Sequence, residues 1–221
     1  MTDIKLVPFT YKYNFLFPRQ QDVDRNQLHI FNTSSYSMTL PTEADNISIT
    51  IKKILNIPNS SRDLIITDGS AHVGGNTLSF SKHFYKVNAI EIDKEMYDAL
   101  VHNIKEVYKR WNVTYYLGDC IKIIHEIKHD VVFLDPPWGG PSYKDFTNLH
   151  LFLGSEDIFD LVLDWYNKKL AKLFCIKCPF NFDFGSFKTH FPNIYIQKNK
   201  NWYVIYISLQ VIDQNISNLD I

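Results

Sequence analysis

From residue 64 onward, short runs of β-branched and aromatic residues alternate with stretches whose apolar positions recur every three to four residues. Strands that alternate with helices are joined by crossovers, so they pair in parallel and carry helices on the faces of an open sheet. The strand candidates are 64–67, 87–90, 113–117, 131–134 and 173–176. The run Val131-Val132-Phe133-Leu134 reads as buried on both faces. Between these runs the pattern predicts helices over 76–83, 94–110, 120–127 and 158–170. The second of them carries Met96, Leu100, Ile104, Val107 and Tyr108 at helical spacing. Two final candidates, 194–197 and 203–209, are separated only by a polar turn at 199–201, which predicts an antiparallel pair. The expected fold is α/β: a Rossmann-like, seven-stranded, mostly parallel sheet with an antiparallel edge hairpin.

Residues 1–60 follow another pattern. Tyr11, Tyr13, Phe15 and Phe17 alternate with polar residues, as a strand or an aromatic lining would, and 46–55 reads as a helix feeding the first strand. We expect an N-terminal extension on the substrate side of a core domain spanning 61–221. A chain of 221 residues, 45% hydrophobic and 21% charged, suits one core. No run approaches the roughly 20 apolar residues of a membrane span, and residues 1–19 lack the order of a secretory signal. Three cysteines cannot build a disulfide framework, so the expected compartment is reducing and intracellular, cytoplasmic or nuclear, of cellular or viral origin.

Other chemistry is poorly supported. Cys175 and Cys178 form a C-x-x-C, but residues three apart in a strand face opposite sides, which makes them structural thiols. The eight histidines show no ligand spacing, and no metal site is expected. There is no phosphate-binding P-loop or nucleophile elbow, so NTPase and hydrolase readings find no footing. The net charge of −1 argues against a general nucleic-acid coat. Charge is unevenly placed, however: Lys168, Lys169, Lys172, Lys177, Lys188, Lys198 and Lys200 face Asp183 alone between residues 165 and 202. A solvated lysine face and a phosphate-contacting surface fit that run equally well.

Four constellations carry chemistry, each after a strand candidate. Asp68-Gly69-Ser70-Ala71-His72-Val73-Gly74-Gly75-Asn76-Thr77 opens a helix, with glycines that let a ligand approach the backbone. It lacks the G-x-G-x-x-G of a pyrophosphate site. An acidic strand end at Asp68 suits instead the cationic methionine end of S-adenosylmethionine, with Ser70, His72 and Gly74 beside it. Glu91, 23 positions later, can accept two ribose hydroxyls, while Asp93 is placed to cap the next helix. Asp119, after the third strand, can accept an adenine amino group. The fourth is Asp135-Pro136-Pro137-Trp138. Its prolines donate no N–H and stiffen the loop, which frees the Asp135 and Pro136 carbonyls as acceptors. Accepting both N–H bonds of an exocyclic amine localises the nitrogen lone pair for attack on a sulfonium methyl, and Trp138 offers a flat face for the base. Asp135, Pro136 and Trp138 are therefore the catalytic candidates, and Asp68, Ser70, His72, Gly74, Glu91, Asp119 and Asp135 line the expected S-adenosylmethionine site.

Across about residues 63–206 the chain resembles the RNA cap guanine-N2 methyltransferases, the trimethylguanosine synthase family of class I enzymes. The likeness rests on Pro136-Pro137-Trp138-Gly139-Gly140-Pro141, on Val73-Gly74-Gly75-Asn76-Thr77, and on Ala99-Leu100-Val101-His102-Asn103 with Glu106-Val107-Tyr108. His72 stands where the family has glycine, and Asp135 where it has serine. The resemblance implies capped RNA as partner, with the 7-methylguanosine stacked on Trp138. Methylation at N7 makes guanine cationic, which adds a cation–π contribution of about 1–2 kcal/mol on tryptophan. It also implies Asn103, Lys177 and Asn181 on the substrate side, Lys177 in place of a phosphate-contacting arginine.

Two other readings stay open: an amino-methyltransferase acting on a flipped adenine or guanine in DNA or ribosomal RNA, and a catalytically silent cap- or RNA-binding subunit. The number of methyls transferred and the oligomeric state are not legible, although a monomer is compatible with the sequence.

Overall fold

A computed structural model describes residues 4–213 and Ile216. Two short strands, β1 (Leu6–Pro8) and β2 (His29–Phe31), pair antiparallel in the N-terminal segment. A one-turn helix α1 (Ser34–Ser37) and the longer α2 (Pro41–Ile54) follow. The chain then runs β3 (Ile65–Asp68), α3 (Gly75–His83), β4 (Lys86–Glu91), α4 (Lys94–Val101), β5 (Val113–Leu117), α5 (Cys120–Ile123) and β6 (Val131–Leu134). A two-residue pair, β7 (Phe152–Leu153) and β8 (Glu156–Asp157), precedes α6 (Ile158–Asn167), β9 (Leu173–Pro179), α7 (Gly185–His190), β10 (Ile194–Lys198) and β11 (Trp202–Ser208).

Seven strands form the main sheet in the order β10-β11-β9-β6-β3-β4-β5. The pairs joining β9, β6, β3, β4 and β5 are parallel, while β11 runs antiparallel to both β9 and β10. The chain enters at β3, walks outward to β5, then crosses back to β6 on the other side. Where the order reverses, the loops after β3 and β6 diverge and leave a crevice at the carboxyl ends of the strands, the usual place for a ligand in such sheets.

Each face of the sheet is covered. Phe17, Ile47, Phe80 and Leu100 pack with Val131, Phe133 and Val204 on one side. Ile124, Val162, Trp165 and Phe187 pack with Val132, Leu134, Ile176 and Ile205 on the other. Residues 131–134 are each at most 1% exposed, as their unbroken apolar run requires.

The differences from the sequence pattern have local causes. The 94–110 stretch is α-helical only to Val101 and then widens into a π turn over His102–Val107, closed by Tyr108 N–H donating to the Asn103 carbonyl at 2.9 Å. The stretches at 120–127 and 158–170 end early, at Ile123 and Asn167. The strand expected at 173–176 continues to Pro179, because β11 keeps pairing with it as far as Trp202. The helix before β3 begins at Pro41, where proline's fixed φ and missing N–H suit a first turn.

The aromatic alternation at 11–17 is not a strand: Tyr11–Tyr13 is a 3-10 turn. The alternation persists as burial, with Tyr13 and Phe17 inside and Tyr11 and Phe15 exposed. Phe17 stacks on Tyr108 at 6.1 Å, and the Tyr108 hydroxyl donates to the Pro18 carbonyl at 2.6 Å. The described part of the extension thus shares its core with the sheet. No helix among the described residues is long and apolar enough to cross a membrane.

Candidate active site

The four expected constellations meet at the carboxyl ends of β3, β4, β5 and β6. Parallel pairing brings them together: Asp68 is level with Ala89 and Phe133, and Glu91 is level with Leu117. The β3 turn is cross-linked to the β6 loop by Gly69 N–H donating to the Phe133 carbonyl at 2.9 Å. Asp135 N–H adds a second link by donating to Ser70 Oγ at 2.7 Å.

Within the turn, Gly74 adopts φ 101° and starts α3. A Cβ there would lie 2.7 Å from Ile104 Cδ1, so close packing and backbone conformation both require glycine. His72 keeps a left-handed φ of 49° despite its side chain, a conformation costing about 1–2 kcal/mol for a non-glycine residue. Its backbone N–H donates to Glu91 Oε2 at 2.7 Å, which holds the turn against the end of β4. Burial drives the His72 pKa down to about 4, so the ring is neutral at physiological pH.

Asp68 is fully buried. Its Oδ2 accepts from Thr77 Oγ1 at 2.6 Å, and its Oδ1 has no protein partner. Burial pushes its pKa up to about 7, with Thr77 opposing. Glu91 accepts from His72 N–H and Asp93 N–H, one on each oxygen, and burial raises its pKa. Each carboxylate oxygen retains lone-pair capacity for a further donor. Asp93 caps α4 through Glu95 N–H and Met96 N–H, both at 2.9 Å, and Asp119 caps α5 through Ile121 N–H at 3.0 Å.

The residues present fit S-adenosylmethionine. Buried polar side-chain atoms without a protein partner cost about 1–3 kcal/mol each, and Asp68 Oδ1, His72 Nδ1 and Asn76 Oδ1 are three such atoms within one turn. Together with Glu91 they offer acceptors for a ligand bearing an ammonium group and a ribose.

On the β6 side, neither proline can donate, and none of the described backbone hydrogen bonds engages the Asp135 or Pro136 carbonyl. Trp138 is half-buried, with Tyr143 edge-on to it at 5.3 Å and its Nε1 lacking a partner. Asn181 Nδ2 donates to the Tyr143 and Phe146 carbonyls at 2.8 and 2.7 Å, which pins the loop that follows Trp138.

The family model for RNA cap guanine-N2 methyltransferases matches residues 64–214, the whole sheet and every constellation above. The chain belongs to this family. It is 37% identical over 140 residues to the uncharacterized protein L320 of Acanthamoeba polyphaga mimivirus, a match covering 62% of this chain and 54% of that protein. It is 36% identical over 90 residues to the trimethylguanosine synthase of Schizosaccharomyces pombe, covering 38% of this chain and 37% of that one. The chain therefore spans about half the length, or less, of the curated relatives it matches. Among solved structures, the human methyltransferase 10 domain containing protein superposes with a TM-score of 0.56 at 10% identity, over 76% of this chain and 82% of that one. The precorrin-6y C5,15-methyltransferase of Geobacter metallireducens GS-15 gives 0.53 at 15%, over 78% and 92%. At such identities they show the fold alone.

Two residues that the family resemblance put on the substrate side lie elsewhere. Asn103 is fully buried beneath the turn, and the π turn directs its amide to the His29 N–H and the His29 and Val73 carbonyls at 2.8, 2.8 and 3.0 Å. Those bonds tie the N-terminal extension to the β3 turn and leave nothing facing a substrate. Lys177 is also buried: its Nζ donates to Asp135 Oδ2 at 2.7 Å, so it does not extend to the surface as a phosphate contact would.

The remaining lysine run is partly neutralised, with Lys168 on Asp164 and Lys172 on Asp130. The three cysteines are reduced and buried; Cys120 is pushed up to about 12, and Cys175 and Cys178 are also raised, all chiefly by burial.

Sequence reading missed Thr77 as the partner of Asp68, although it lies in the quoted motif one turn into α3. It also missed the extension's contact with the site, where Met38 and Thr39 pack over Gly75. No pattern in residues 33–39 signals that contact.

Proposed function

We propose that this protein is an S-adenosylmethionine-dependent methyltransferase acting on the exocyclic N2 amine of a 7-methylguanosine RNA cap. The observation that carries the reading is the convergence at one switch point of a β3 turn rich in unpaired buried acceptors with the Asp135-Pro136-Pro137-Trp138 loop, in a chain of this family. Asp68, Ser70, His72, Gly74, Glu91 and Asp119 hold the cofactor, whose sulfonium supplies an electrophilic methyl group.

The chain's own work is positioning and electrostatics. The Asp135 and Pro136 carbonyls accept the amine's two N–H bonds and draw the nitrogen toward tetrahedral geometry. Trp138 stacks on the base, and a cationic 7-methylguanine gains there over an unmethylated one. Asn181 fixes the loop that carries Trp138. The hydrogen bond from Asp135 N–H to Ser70 Oγ sets the acceptor loop against the cofactor turn.

The test is transfer of labelled methyl to 7-methyl-GTP, GTP and uncapped RNA in parallel. Label in 7-methyl-GTP alone supports the reading. Label only in uncapped RNA replaces it with an amino-methyltransferase on internal bases, and no label with intact cofactor binding replaces it with a silent binding subunit.

A further inference from the structure

Lys177 lies at the centre of the acceptor loop rather than at its rim. In the parallel pairing of β6 with β9, Leu134 is level with Ile176, so the next residues along, Asp135 and Lys177, are neighbours. Lys177 Nζ and Asp135 Oδ2 are 2.7 Å apart, with side chains 6% and 12% exposed. The ammonium also lies 5.1 Å from the Trp138 ring centre and 5.3 Å from that of Trp202. Trp202 gets there through β11, where Val204 pairs with Lys177 and Trp202 is two residues back on the same face. An ammonium taken out of water costs several kcal/mol, so it is retained only where a carboxylate and ring faces replace its hydration.

We propose that Lys177 is a positioning residue for methyl transfer: it locks the Asp135 carboxylate to the Trp138 ring, covers one face of that ring, and leaves the opposite face to the acceptor base. The proposal rests on the reading of residues 135–138 as the acceptor loop. It also assigns the pair an electrostatic role. Two adjacent cations on one indole would compete for the same π cloud, and the Asp135 carboxylate neutralises the Lys177 cation, so the ring remains open to a positively charged base. Lys177 and Cys178 from β9 and Asp68 from β3 are the titratable groups that act on Asp135 or feel it.

The test compares wild type, Lys177→Met, Lys177→Arg and Asp135→Asn/Lys177→Met. Cofactor affinity serves as the folding check, kcat and KM for 7-methyl-GTP as the functional readout, and the pH profile of tryptophan emission as a substrate-independent one. Burial raises the Asp135 pKa and Lys177 opposes it, so with its partner gone the carboxyl takes up a proton at higher pH than in wild type. Lys177→Met should therefore show a pH-dependent emission change, displaced to higher pH relative to wild type, that the double variant lacks. It should also lose about tenfold or more in kcat while binding the cofactor as wild type does. Lys177→Arg, which keeps the cation, should recover most of that loss.

A Lys177→Met variant matching wild type in kcat, KM and emission profile overturns the proposal. So does one whose loss of kcat is matched by lost cofactor binding, with an unchanged pH profile. If wild type itself transfers methyl to no nucleobase, the acceptor reading falls and this proposal with it. Activity in wild type separates the two failures.

Discussion

The backbone N–H of Asp135 donates to the hydroxyl of Ser70 at 2.7 Å, so residues 65 positions apart join the β6 loop to the β3 turn. Because Asp135 is the first residue past β6 and Ser70 the second past β3, this bond spans the point where the strand order reverses. Replacing Ser70 with Ala leaves the Asp135 N–H without its acceptor, at a cost of about 1 kcal/mol or more. The expected result for Ser70→Ala is a roughly fivefold or greater drop in kcat, with a smaller change in cofactor affinity. Calorimetric binding alongside steady-state transfer checks it; a larger loss in affinity than in kcat would move Ser70 to a purely cofactor-holding role.

Asp68 gives a pH dependence with a definite sign. Burial raises its folded pKa to about 7, against 3.8 for an ordinary aspartate. The folded state thus holds a proton that the unfolded chain releases, and burying the carboxylate destabilises the fold increasingly as pH rises from about 4 to about 7. Asp68→Asn should raise the Tm at pH 8 and lose that advantage below pH 4. Cofactor binding should run the other way: in the proposed function an ionised Asp68 attracts the methionine ammonium, so wild-type affinity should rise as pH passes through about 7 and the variant's should stay flat. Thermal unfolding and cofactor titration over the same pH series decide both halves.

Glu91 holds two backbone N–H groups, one on each carboxylate oxygen, and each oxygen keeps lone-pair capacity for a further donor. Glu91→Ala should weaken S-adenosylmethionine binding by roughly 1–3 kcal/mol and lower the Tm, because His72 and Asp93 N–H lose their acceptor. An unchanged dissociation constant would place the ribose elsewhere.

His72 occupies a left-handed backbone position, which glycine adopts without strain. His72→Gly should relieve about 1 kcal/mol of strain, offset in part by the freedom glycine gains in the unfolded chain. Cofactor affinity within threefold of wild type would assign the backbone N–H, not the imidazole, to the site. A larger loss would make the ring a ligand contact.

Much of this fold was legible because its signals are local and strong. The unbroken apolar run at 131–134, the two final strands across a short turn, and the acidic residues ending successive strands each follow from strand geometry alone. The cap at Asp93 was likewise visible from its place before Lys94. What the sequence hid depends on register and on local widening of a helix. Lys177 read as a surface cation because nothing in a linear pattern places it beside Asp135; the pairing of Leu134 with Ile176 does that. Asn103 read as a substrate contact until the π turn rolled its amide under the β3 turn. The contact of Met38 and Thr39 with Gly75 joins residues more than thirty positions apart and has no periodic signature at all.

In the proposed function, the choice of acceptor depends on Trp138. Trp138→Ala should nearly abolish transfer to 7-methyl-GTP and leave S-adenosylmethionine affinity unchanged, since the indole's polar and ring contacts are with Tyr143 and the Lys177 ammonium. Equal loss of both would contradict the division of roles between the two loops.

The most direct measurement is the position of the transferred methyl. Capped RNA incubated with the protein and isotopically labelled S-adenosylmethionine, digested to nucleosides and resolved by mass spectrometry, should carry the label on N2 of 7-methylguanosine. Label on an internal adenine or guanine, with the cap untouched, would contradict the assignment of the acceptor.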